Sequence, residues 1–178
     1  MPAVVALHRS PAHSFSKEPV GEIELVAGVG VTGDAHAGPL VQHRSRVAAD
    51  PTQPNLRQVH LIASELFGVV AAAGHVVAAG DLGENVTTVG LDVEALAVGS
   101  VLAMGDDALV AVTGLRNPCR QIERFRPGLL REVAVATDRG LVRRAGVMGV
   151  VVRGGTVRVG DAIEVSTPPG PARSLRPV

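Results

Sequence analysis

At 178 residues the chain has the length of one domain with room for a hydrophobic core. Hydrophobic residues make up 46% of it, which excludes a disordered chain, and its 17 basic and 17 acidic side chains cancel, which excludes the broad positive field of a nucleic-acid binder. Aromatic residues at 2% are too few for base-stacking platforms, and one cysteine excludes an internal disulfide or a zinc site built on several thiolates.

Arginine supplies all but one of the basic residues, which fits local bidentate contacts to phosphate or carboxylate as well as GC-rich coding. The N-terminus has no basic leader followed by an apolar run. The most apolar stretch, "FGVVAAAGHVVAAG" (67–80), is broken by glycines and His75 and is too short to span a bilayer. The expectation is a cytoplasmic, soluble protein with no membrane contact.

In chain order, "AVVALH" (3–8) predicts a short, fully buried strand. "GEIELVAG" (21–28) alternates Ile23 and Leu25 with Glu22 and Glu24, a half-exposed strand. From Gly28 to Asn55 the pattern dissolves into Gly, Pro, His and Arg, a long irregular loop of the kind that often carries function. "RQVHLIA" (57–63) reads as strand, Ser64 as an N-cap, "ELFGVVAAA" as a short helix and Gly74 as its stop. "NVTTV" (85–89) is β-prone. "SVLAMG" (100–105) and "ALVAVTG" (108–114) read as two strands joined at Gly105-Asp106-Asp107.

After Thr113 the character changes. Asn117 and Pro118 predict the cap and first residue of a helix, with Ile122 and Phe125 on one face and Pro127 as its end. "GLLREVAVA" (128–136) reads as a second short helix. Residues 145–166 read as strand, Gly154-Gly155 turn, strand, Gly160-Asp161 turn, strand, before a Pro-rich tail at 167–178. Many short strands and few short helices predict one mainly β domain, closed as a barrel.

Cys119 is the chemical focus of the chain. A thiolate, not a thiol, binds metal or attacks sulfur. In the first turn of a helix capped by Asn117, with Arg116 and Arg120 beside it, a lowered thiol pKa is expected. A small buried, inert cysteine is the alternative.

The ordered strings "GDLGENVTTVGLDVEALAVGSVLAMGDDALVAVTGLRNPCRQIERF" (80–125) and "GVMGVVVRGGTVRVGDAIEV" (146–165) resemble the MOSC domain family, named after the C-terminal domain of molybdenum cofactor sulfurases. The resemblance rests on Glu84-Asn85, Gly90-Leu91-Asp92, Gly99, Arg116, Pro118-Cys119 and the closing Gly-Gly and Gly-Asp pairs. "GDAH" (33–36) and "VHLIASE" (59–65) extend it to roughly residues 20–166. Residues 37–56 depart from the pattern. The resemblance implies a β-barrel-like fold with a few short helices, an exposed functional cysteine, and molybdenum cofactor (molybdopterin) as the ligand. It also implies that Cys119 ligates molybdenum or carries sulfur. The chain has no fused desulfurase domain with Lys-linked pyridoxal phosphate and no iron–sulfur or flavin module, so electrons or sulfur would come from a partner.

The other site expectations follow from that ligand. Arg116 and the loop residues His43, Arg44, Arg46 and Arg57 are candidates to grip the cofactor phosphate. Asn85 is a candidate for the pterin edge, and Glu84 for pterin N–H groups or for pairing with Arg116. Asp34 and His36 are candidates to supply or orient protons. A histidine metal site has no rigid spacing to support it, and His60 reads as a hydrogen-bonded core residue. His8, His13 and His75 carry no signal.

Three functions therefore stand open. The first is a molybdenum-dependent oxidoreductase that reduces the N–OH group of a small-molecule substrate with two electrons and two protons, releasing water, with electrons from a donor protein. The second is a persulfide carrier supplied by a cysteine desulfurase and serving cofactor or metal–sulfur cluster assembly. The third is a cofactor-binding module without turnover.

Overall fold

The computed structural model describes residues 1–138 and 140–178. Its strands are β1 (Ala3–Arg9), β2 (Glu18–Val20), β3 (Glu22–Val26), β4 (Gly30–Val31), β5 (Val59–Ala63), β6 (Val86–Val89), β7 (Val101–Met104), β8 (Ala108–Leu115), β9 (Ala134–Thr137), β10 (Gly140–Arg143), β11 (Val147–Arg153), β12 (Gly155–Arg158) and β13 (Ile163–Ser166). The helices are α1 (Arg44–Ala49), α2 (Glu65–Ala72), α3 (Arg120–Phe125) and α4 (Leu129–Val133).

Eight strands form one sheet in the order β13-β7-β8-β11-β5-β6-β1-β2. All its pairs are antiparallel except β5–β6, where Leu61 lies beside Val86. The sheet is mainly β as expected, but it is open. Its edge strands β13 and β2 do not pair, and the start of β1 is tied to the segment entering β13 by an Ala3–Ala162 bridge and by Gly160 N donating to Val4 O at 2.8 Å, with no strand ladder between them. The expected barrel closure is therefore corrected. Strand β12 stays out of the large sheet: after Gly154 the chain leaves β11 and pairs with β3 in a separate three-stranded sheet, β12-β3-β4.

That small sheet covers one face of the large one. Ile23, Leu25, Val31 and Val157 pack with Leu61, Val86, Val110 and Val147 in an aliphatic core. On the other face Ile62 meets Leu66 and Val70 of α2, Ile122 of α3, and Leu129 and Val133 of α4. Alternation along β5 sends Leu61 into the first core and Ile62 into the second, both with no exposed surface. Each such side chain contributes about 1.5–3 kcal/mol of burial.

Several local expectations need correction. β1 is a strand but not a fully buried one, since Val5 is 41% exposed. The irregular segment 28–55 contains α1 and β4. Ser64 does precede α2, yet its hydroxyl caps no backbone N–H and instead donates to Glu65 Oε2 at 3.4 Å. The stretch 128–136 is α4 followed by β9, which forms a hairpin with β10. Among the described residues, no helix is long and apolar enough to cross a membrane.

Candidate functional site

On the helical face of the large sheet lies a cavity of about 360 Å³, a volume suited to a cofactor or small ligand. His60 of β5 and Met148 of β11 are cross-strand partners and form part of its floor. The loop after β1 brings His13, Phe15 and Lys17 to the wall. The loop before α1 and α1 itself bring His36, His43, Arg44 and Arg46. Arg57, Asn85, Arg116 and Cys119 complete the residues that matter for chemistry. The sequence segment of least regular pattern therefore supplies much of the wall.

Cys119 is half-buried at this cavity. It is itself the N-cap of α3, in extended backbone, and its carbonyl accepts the first helical hydrogen bond from Ile122 N at 3.0 Å. The expectation of a helix capped by Asn117 is corrected by two residues. The Asn117 side chain instead accepts from Arg143 Nε at 3.1 Å. The helix is only six residues long, and among the described residues the one side-chain hydrogen bond of Cys119 runs from Sγ to Gln121 Oε1 at 3.5 Å.

The cavity is strongly basic. Arg44, Arg46, Arg57 and Arg116 all reach it, and among the described residues none of the four forms an ion pair. Burial lowers Arg57 to about 10, and the neighbouring Arg46 and Arg116 push the same way. Arg116 is also lowered by burial; one of its terminal nitrogens is buried without a partner, and its guanidinium carbon lies 5.8 Å from the centre of the Phe15 ring. His43 is lowered by burial and by Arg57, and its Nδ1 meets Ser45 Oγ at 2.9 Å. Uncompensated cations around a partly dry space attract an anion, and arginine forks suit phosphate or carboxylate.

Behind the wall sits a buried polar cluster centred on Asp34. Its Oδ2 meets Lys17 Nζ at 2.8 Å and accepts from Asn85 Nδ2 at 3.0 Å and Ser10 N at 3.3 Å. Its Oδ1 accepts from His36 N at 3.0 Å and lies 3.3 Å from His36 Nδ1. Burial pushes the Asp34 carboxyl up, but the His36 hydrogen bond and the Lys17 charge outweigh it and hold the group well below the ordinary carboxylate range. Lys17 is itself lowered by burial, against the opposing pull of Asp34.

The motif residues divide between wall and interior. Asn85 lines the cavity, yet both its amide hydrogens go inward, to His8 O and Asp34, while Oδ1 accepts from His60 N at 3.2 Å. Glu84, its neighbour in sequence, is absent from the wall. Its Oε1 accepts from Gly80 N at 2.6 Å and from Thr87 Oγ1 at 3.2 Å, Oε2 has no partner, and burial raises its pKa. The expected Glu84–Arg116 ion pair does not form. His60 is the hydrogen-bonded core residue expected, with Nε2 at 2.8 Å from Ala145 O and its pKa held well below 6.5 by burial. Sequence reasoning missed Lys17; its signal was that no other lysine occurs in the chain.

Among the described residues no group of three His, Cys, Asp or Glu side chains is placed to hold a metal ion. The site offers one thiol and a basic cavity, so a metal here would bring most of its ligands with it.

The site thus joins an open, largely antiparallel sheet, a half-buried cysteine and an arginine-lined cavity. The MOSC domain model matches residues 33–164, and the chain belongs to that family. Among solved structures it is similar in fold to the YuaD protein of Bacillus subtilis, with 24% identity, a TM-score of 0.77, and 94% of this chain and 97% of that one covered. It is also similar to YiiM of Geobacillus stearothermophilus, at 18% identity and a TM-score of 0.69 over 98% of this chain and 80% of that one. YiiM of Escherichia coli follows at 20% identity and a TM-score of 0.61, over 96% and 73%. No curated protein matches the chain significantly.

Proposed function

We propose that this cavity binds molybdenum cofactor and that the protein reduces N-hydroxylated compounds there with electrons from a partner protein. The observation that carries the reading is the placement of Cys119, a single half-buried thiol on a cavity whose arginines have no acidic partners among the described residues.

The residues fit the group. The buried unpaired nitrogen of Arg116 and the free charge of Arg57, Arg46 and Arg44 suit its phosphate. Cys119 suits the one ligand position that a metal already held by dithiolene sulfurs leaves to protein. When bound, the cofactor supplies a two-electron redox centre. The protein's share is to hold the anionic end with arginines, to keep the site partly dry and to handle protons. His36 is the proton-handling group, since it lines the cavity, whereas the Asp34 side chain is 1% exposed and acts only through its partners.

A second reading is favoured by the open side of Cys119. Among the described residues its one side-chain partner is Gln121, and the residue is half-buried rather than enclosed. Metal analysis separates the two. Protein from a cofactor-competent host is expected to carry stoichiometric molybdenum that Cys119→Ala loses. Metal content unchanged in that variant refutes ligation by Cys119. A one-sulfur mass gain on Cys119 after treatment with a desulfurase and cysteine, in protein without molybdenum, supports the carrier instead.

A further inference from the structure

The buried pair Lys17–Asp34 stands directly behind His36, a histidine on the cavity wall. Its side chains are 4% and 1% exposed, whereas that of His36 is 28% exposed. Replacing such a pair by apolar residues is often neutral or stabilising, so its presence calls for a purpose other than stability. Asp34 takes Lys17, Asn85 and Ser10 on one oxygen and both nitrogen donors of His36 on the other. The ionised carboxylate is acceptor-only, so His36 Nδ1 must carry the proton between them. Among the described residues His36 Nε2 makes no hydrogen bond, and the ring lines the cavity with an edge contact to His13 at 5.2 Å between centroids.

We propose that Lys17 is a positioning residue that, through Asp34, fixes His36 as its Nδ1–H tautomer and leaves Nε2 as the acid–base nitrogen of the cavity. In the reduction, the two electrons cleave the N–O bond, the Nε2–H bond of the His36 imidazolium breaks as an O–H bond forms on the departing hydroxyl, which leaves as water, and a second proton, from solvent, forms the new N–H bond. His36 remains as the neutral Nδ1–H form, and solvent returns the proton to Nε2. The partner protein supplies the two electrons. This step rests on the reductase reading, whereas the tautomer does not.

The tautomer is read directly from the nitrogen-15 shifts and proton couplings of His36 in protein free of cofactor. Wild type is expected to show Nδ1–H, Lys17→Met a mixture or Nε2–H, and Lys17→Arg, which keeps the charge, Nδ1–H. Nε2–H in wild type overturns the proposal. So does an unchanged tautomer in Lys17→Met, and, should that variant not fold, Nε2–H in Lys17→Arg. In the kinetic arm, molybdenum-loaded protein reduces an N-hydroxylated amidine with reduced viologen as donor. His36→Gln is expected to lower kcat by about 10²-fold or more with molybdenum content unchanged, and Lys17→Met to lower kcat with little effect on KM. Full kcat in His36→Gln refutes the proton step. If loaded wild type reduces nothing, the reductase reading fails, and the tautomer still decides the role of Lys17.

Discussion

Arg143 donates from Nε to Asn117 Oδ1 at 3.1 Å, so the β9–β10 hairpin holds the segment that presents Cys119. The two residues lie 26 positions apart, and the contact is exposed. It replaces the helix cap that Asn117 would otherwise supply.

Arg143→Ala therefore separates positioning from stability. The urea midpoint is expected to stay within about 0.5 kcal/mol of wild type, as for most surface substitutions. Iodoacetamide is expected to modify Cys119 several-fold faster once the segment is released. An unchanged alkylation rate would show that other contacts hold it.

Acid is expected to destabilise the protein in two separate windows. The folded-state pKa of His60 lies well below its ordinary value because burial disfavours its charge, and burial lowers His8 and His43 too. As pH falls through about 6.5, the unfolded chain takes up protons that the folded chain refuses, so stability drops. Asp34 acts in the second window. Its stabilising contribution is present above about pH 4 and is lost as pH falls from there toward its depressed folded pKa. Urea midpoints measured from about pH 7.5 down to pH 3 check both. His60→Gln is expected to flatten the upper slope, and Asp34→Asn the lower one. Asp34→Asn also leaves the Lys17 charge buried without its partner, at a cost of about 3–5 kcal/mol at neutral pH.

Gly146 carries a sharper constraint. Its φ is +85°, and a Cβ there would run into the carbonyl oxygen of Leu61. Its own carbonyl accepts from Arg116 N at 2.9 Å, and its N–H donates to Glu94 Oε1 at 2.9 Å. Gly146→Ala is expected to destabilise by about 2 kcal/mol or more in urea melts, and to disturb the backbone that holds Arg116. Wild-type stability in that variant would contradict the clash.

The strand pattern was legible because period-two alternation is a local property. Ile23 and Leu25 in β3, and the β7–β8 hairpin around Gly105, appear where the sequence puts them. Barrel closure was not legible, because β12 looks like any other strand and only long-range pairing sends it to β3. At the site, Cys119 and Arg116 stood out by motif, and both reach the cavity. Glu84 and Asn85 were equal candidates in the sequence. Asn85 is on the wall and Glu84 inside, held there by Gly80 N and Thr87 Oγ1, partners that motif position does not reveal. The capping error at Asn117 has the same origin, since its partner Arg143 is far along the chain.

The burial of Lys17 has a practical side as well. It is the sole lysine of the chain, and its side chain is only 4% exposed. Acetylation, amine-directed cross-linking and fluorescent esters would be left with the terminal amine. A label on Lys17 would have entered the cavity or broken its ion pair with Asp34, which makes this one side chain a built-in reporter of the state of the wall it belongs to.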